Sequence, residues 1–80
     1  MTLAPLVLIV DDETAIRRLL RTSLQAEGYR TAEAATGAEA LARAQDADII
    51  VLDLGLPDID GLEVIRRLRA NSAVPVVVLS

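Results

Sequence analysis

Four short apolar runs alternate with three segments of helical periodicity along this chain. Leu6-Val7-Leu8-Ile9-Val10 is apolar at every position and stops abruptly at Asp11-Asp12-Glu13. A run that is apolar on both faces predicts a strand buried between two layers of helices. Ile16, Leu19, Leu20 and Leu24 follow at i, i+3, i+4 and i+8, one stripe of a helix that Gly28 ends. Arg17, Arg18 and Arg21 take other faces of that helix, where solvated side chains are expected. Residues 29–34 are more polar and predict an edge strand. Thr36 and Glu39 have the spacing of a capping box and start an Ala-rich helix that ends near Gln45. Residues 48–53 form the second strongly apolar strand, again ending in a carboxylate. Gly55, Pro57, Asp58 and Gly61 punctuate a loop. Asp60 and Glu63 repeat the capping spacing for a third helix, with Leu62, Ile65 and Leu68 expected inward. The last strand runs over 75–79, with Pro75 at its start, where a missing N–H is tolerated.

The order β-α-β-α-β-α-β predicts an α/β fold: a parallel sheet with right-handed crossovers and helices on its faces. In such sheets the site lies beyond the carboxyl ends of the strands, at a switch point in strand order. Asp11 and Asp12 follow the first strand, Asp53 ends the third, and Ser80 follows the fourth. If the first and third strands are neighbours, three carboxylates converge and repel one another. A divalent cation removes that conflict, and hard oxygen ligands suit Mg²⁺. With its charge neutralised, a carboxylate can act as nucleophile toward a phosphoryl group. Taken singly, each residue also has a plainer reading. Asp11 or Asp12 could cap the first helix, Asp53 could close a strand, and Asp58 and Asp60 suit turn and cap roles. The joint placement of Asp11, Asp12 and Asp53 favours the site.

Composition narrows the chemistry. The 80 residues carry a net charge of −4, which disfavours binding to nucleic acid or an anionic membrane by this domain itself. Aromatics are nearly absent, with one Tyr and neither Phe nor Trp, so no stacking platform for single strands is built here. Without His or Cys there is no Ser-His-Asp triad, no thiol nucleophile and no zinc or disulfide framework. All eight basic residues are Arg. No apolar run approaches the roughly 18 residues of a membrane span. The start of the chain lacks the basic stretch of a signal peptide, so a cytoplasmic protein is expected.

The motifs together resemble the receiver domain of two-component response regulators. Those that carry the resemblance are Val10-Asp11-Asp12-Glu13, Asp53-Leu54-Gly55-Leu56-Pro57, Asp60-Gly61-Leu62-Glu63 and Pro75-Val76-Val77-Val78-Leu79-Ser80. The chain is similar to regulators whose output is a winged-helix DNA-binding domain. Residues 53–58 and 72–80 resemble the branch that controls potassium uptake. The resemblance implies a flavodoxin-like sheet in strand order 2-1-3-4 and a Mg²⁺ cofactor. It implies that Asp53 accepts a phosphoryl group from a sensor histidine kinase. It further implies that Asp12 ligates the metal directly, Asp11 acts largely through water, and Gly55 offers a backbone carbonyl. Ser80 is the implied switch hydroxyl.

A receiver also carries a fifth strand ending in Lys, and a fifth helix. This sequence has neither, so residues 1–80 are read as a partial receiver domain without an output domain, able to reach DNA only through one. Its fourth strand is then an exposed apolar edge, and self-association through that edge is expected. Two other readings differ in class. An aspartate-nucleophile phosphatase would carry a second Asp where Gly55 stands. An assembly fragment with an inert phosphorylation site would associate yet ignore Mg²⁺ and phosphodonors. A dinucleotide site fails, because no Gly-rich turn follows the first strand.

Overall fold

The computed structural model describes residues 3–79. Its elements are β1 (Leu6–Val10), α1 (Thr14–Ala26), β2 (Arg30–Ala34), α2 (Gly37–Arg43), a single 3₁₀ turn (Ala44–Asp46), β3 (Ile49–Leu52), α3 (Gly61–Arg69) and β4 (Val76–Val78). The four strands are parallel and lie in the order β2-β1-β3-β4. Both the α/β class and the strand order agree with the expectation.

Alternation along the central strands divides the core in two. Leu8 and Val10 of β1 lie beside Ile50 and Leu52 of β3 and face α2 and α3. They pack with Ala34, Ala40, Ala44, Val64, Leu68 and Val74. Leu8, Ile50 and Leu52 are almost free of solvent, and each contributes about 2 kcal/mol through apolar burial. Val7 and Ile9, of opposite parity, are equally buried on the face that α1 covers.

The two faces are not equally covered. No residue of α1 is fully buried, and Leu19, expected in its inward stripe, is 62% exposed. Geometry explains this. One helix about 10 Å wide covers roughly two strands spaced about 4.8 Å apart. Since α1 sits over β1 and β2, the α1 face of β3 and β4 is left more open. Val51 there is half-buried, and Val77 is exposed.

Helix ends follow local chemistry. At the end of α1, Gly28 adopts φ +92. Its N–H donates to the Gln25 carbonyl while that of Tyr29 reaches Leu24, the paired bonds of a Schellman motif. Thr36 caps α2 by accepting the Glu39 N–H at 3.1 Å, and Glu39 reaches back to the Ala35 N–H. Asp60 caps α3 by accepting the Leu62 N–H at 2.8 Å.

Two expectations about α3 are corrected. Leu62 does not point inward: it is 65% exposed, while Val64 is completely buried. With Asp60 as cap, the buried stripe is Gly61, Val64 and Leu68, and Leu62 lies about 100° away from Gly61. Nor does Glu63 complete a capping box. Its carboxylate pairs with Arg66 and Arg67, one turn ahead, which draws it away from the cap. Gly61 itself is a packing requirement. A Cβ there would lie 2.5 Å from the Leu54 Cα, because the loop after β3 folds directly onto the first turn of α3.

Two outcomes are expected. Gly61→Ala should lower stability by about 2 kcal/mol, read as a lower urea midpoint at unchanged m-value. The Arg66 and Arg67 side chains hold the Glu63 carboxyl down, from 4.5 to about 2. Because the folded value is the lower one, this stabilisation is complete above about pH 4.5 and disappears as pH falls toward 2. Thermal melts of Glu63→Gln and the parent should therefore converge across that window. The pair is solvent-exposed, so salt should shrink the difference between them.

Candidate functional site

Parallel pairing brings two strand ends to the same level. Val10 of β1 is in register with Leu52 of β3, and the Asp53 N–H donates to the Val10 carbonyl at 2.9 Å. On the other side, the Asp11 N–H donates to the Ala34 carbonyl at 3.1 Å. Asp11 and Asp53 therefore leave adjacent strands side by side. Asp12 is the next residue along. Asp11 is buried, Asp53 half-buried and Asp12 exposed. One oxygen from each carboxylate can be chosen so that all three lie within 4.8 Å of one another.

Local hydrogen bonds hold the two strand-end side chains. The Glu13 N–H donates to Asp11 Oδ1 at 2.8 Å, and the Gly55 N–H donates to Asp53 Oδ1 at 3.1 Å. Each is an aspartate bound to the backbone two residues on, which fixes its rotamer at the mouth of the site. Helix α1 begins after Glu13, so neither Asp11 nor Asp12 is its capping residue. The plainer reading of that pair is thereby set aside. Gly55 lies beside the Asp53 carboxylate. Ser80 lies outside the described residues.

The structure adds residues that sequence reasoning missed. Arg17, expected on a solvated face, is only 15% exposed at its side chain. It bonds the Asp11 carbonyl at 2.7 Å and Glu33 of β2 at 3.2 Å. Nothing in the sequence separates Arg17 from Arg18, because the partner that holds its Nε, Glu33, comes from β2. Asp58, expected in a turn, instead reaches across the chain. Its two oxygens accept the N–H groups of Gly37 and Ala38 at 2.8 and 3.0 Å. The Gly37 N–H is the main cause that lowers the Asp58 pKa from its ordinary value. This bond ties the loop after β3 to the start of α2.

A depression of about 430 Å³ opens at the site. Asp11, Glu13 and Asp53 line its charged end, and Ile16, Leu19, Leu20 and Leu79 its apolar wall. The donor set fits Mg²⁺: three carboxylates, all hard oxygen ligands, at one mouth open to water. Ligand oxygens around octahedral Mg²⁺ lie about 3 to 4.2 Å apart, so a small side-chain movement closes the group on an ion. The Cβ contact space at Gly55 is open apart from Asp53, which leaves room for a ligand there.

The response regulator receiver domain family matches residues 7–80. The chain belongs to that family. This receiver is 59% identical over 76 residues to the KDP operon transcriptional regulatory protein KdpE of Escherichia coli, covering 92% of this chain and 34% of the relative. It thus spans about a third of the curated relatives' length. Among solved structures, a response regulator receiver protein from Pseudomonas putida superposes with a TM-score of 0.92 at 29% identity, covering all of this chain and 70% of that one. The response regulator TrrA of Thermotoga maritima, solved in complex with Mg²⁺-BeF, gives a TM-score of 0.81 at 41% identity, covering 85% of this chain and 61% of that one. The receiver fold and the kinship to KdpE-type regulators agree with the resemblance read from the motifs. Among the described residues no helix is long and apolar enough to cross a membrane.

Three carboxylates held this close repel, so removing one charge should stabilise the metal-free chain. Asp12→Asn is expected to raise the melting temperature in chelator by a few degrees, about 1 kcal/mol. The same substitution should remove most of the stabilisation that added Mg²⁺ gives the parent. Differential scanning calorimetry with and without Mg²⁺ reads both effects.

Proposed function

We propose that this receiver is a Mg²⁺-dependent phosphoacceptor module, with Asp53 taking a phosphoryl group from the phosphohistidine of a sensor kinase. The convergence of Asp11, Asp12 and Asp53 at the ends of β1 and β3 carries this reading. Asp12 and Asp53 would hold the ion directly, Asp11 partly through water, and Gly55 through its carbonyl. The ion, when bound, neutralises the carboxylates and the charge developing on the phosphoryl oxygens. Asp53 Oδ1 already accepts the Gly55 N–H, which leaves Oδ2 to attack phosphorus. The P–N bond to the kinase imidazole breaks as the new P–O bond forms, and the electron pair leaves with the imidazole. Ser80 would then donate its hydroxyl to a phosphoryl oxygen. These 80 residues contain no Lys, so no side-chain ammonium among them assists the transfer.

The module accepts a phosphoryl group rather than turning over a metabolite. Its net charge of −4 leaves DNA binding to a separate output domain of the whole protein, in the cytoplasm. The transcriptional regulators among its relatives support that reading. A second reading rests on β4. This edge strand exposes Val77 and Val78, and Leu79 just after it, an apolar template for another copy of the chain. In that case residues 1–80 are a partial receiver domain that self-associates.

Intact-mass analysis after incubation with Mg²⁺ and acetyl phosphate tests the first reading. A phosphoryl adduct is expected on the parent and absent from Asp53→Asn. A folded parent that gains no adduct would favour the assembly reading instead. For the β4 edge, light scattering across a wide concentration range should show mass rising with concentration, and Val77→Lys should suppress the rise. A constant monomer mass counts against association.

A further inference from the structure

The acidic residues are not held by the sheet alone. The last ladder bond between β1 and β3 runs from the Asp53 N–H to the Val10 carbonyl. The next carbonyl after β1, that of Asp11, lies beyond the ladder, and Arg17 Nη1 donates to it at 2.7 Å. Arg17 Nε donates to Glu33 on β2 at 3.2 Å, and Nη2 to the Thr14 hydroxyl at 3.3 Å. The other Glu33 oxygen accepts from Arg21 Nη1 at 3.0 Å, so the brace is itself held from two sides. Asp11 is thus pinned at its N–H by β2, at its carbonyl by α1 and at its carboxylate by the Glu13 N–H. The pinned carbonyl belongs to the peptide that joins Asp11 to Asp12. Because that peptide is planar, holding its oxygen restricts the directions in which both side chains leave the backbone.

We propose that Arg17 is a positioning residue for the acidic site: its guanidinium fork, braced by Glu33, sets the Asp11–Asp12 peptide so that both carboxylates meet Asp53 around one divalent cation. This rests on the Mg²⁺ reading above and extends it to the residues behind the ligands. Partners of this kind, which orient a metal ligand without touching the metal, commonly change affinity ten- to a hundredfold when removed. A rival account gives Arg17 only its charge. The two accounts differ in sign. A cation near the site repels Mg²⁺, so losing charge alone should strengthen binding. Losing the fork should weaken it. Lys keeps the charge but cannot reproduce the planar fork, which separates the two effects.

Calorimetric titration with Mg²⁺ alone, on the parent, Arg17→Lys, Arg17→Gln and Arg18→Lys, tests the proposal. Thermal melts in chelator accompany each titration. Arg17→Lys should weaken Mg²⁺ binding on the order of tenfold while Arg18→Lys, on an exposed position, leaves it unchanged. Arg17→Gln should weaken it as well. Equal affinity in parent and Arg17→Lys overturns the positioning role, as does tighter binding by Arg17→Gln. If the Arg17 variants do not fold, Thr14→Val removes one bond to the fork at unchanged charge and should give a smaller loss in the same direction. No change there also overturns it. A parent that takes up no Mg²⁺ would instead defeat the metal reading itself, an outcome seen before any variant is compared.

Discussion

Parallel pairing of β1 with β3 is the constraint on which the rest depends. Both strands are apolar on both faces, so they occupy the centre of the sheet, and their register is set by burial. A slip of one residue in either strand would turn that strand's pair, Leu8 and Val10 or Ile50 and Leu52, away from the α2–α3 layer. The same register brings Asp11 and Asp53 out side by side. Core packing therefore forces like charges together, and the stability of the sheet works against the electrostatics of its mouth. This is how a site for a hard cation can be built from ordinary hydrophobic burial.

The surrounding contacts limit how far those charges can move apart. Asp11 is tied to β2, to Arg17 and to Glu13, and Asp53 to Gly55. Behind Asp53, the loop is folded against α3 at Gly61 and latched to α2 by Asp58. Each tie links a different element to the site. The carboxylates are thereby linked to the starts of α1, α2 and α3.

Coverage of the sheet is uneven. Two helices close one face over the main core, while α1 alone serves the other. The result is an apolar wall running from Leu19 to Leu79 beside the acidic mouth. Charged chemistry and exposed apolar surface thus sit next to each other, and β4 contributes an open strand edge to the same side.

Much of this was legible in the residue pattern. Unbroken apolar runs identified β1 and β3, the spacing of Thr36 and Glu39 marked the start of α2, and acids at two strand ends indicated where three carboxylates meet. These signals are local, because side-chain period, capping and strand termination depend on neighbours within a few residues. The tertiary structure decided the rest. Leu62 faces solvent and Val64 the core because the fold of the loop sets where α3 begins and how it is rotated. Arg17 became an internal brace because Glu33 arrives from β2, and Asp58 became a cap because α2 begins beside it. Partners brought together from distant parts of the chain leave no periodic trace in sequence, since their contact exists only once the strands have paired.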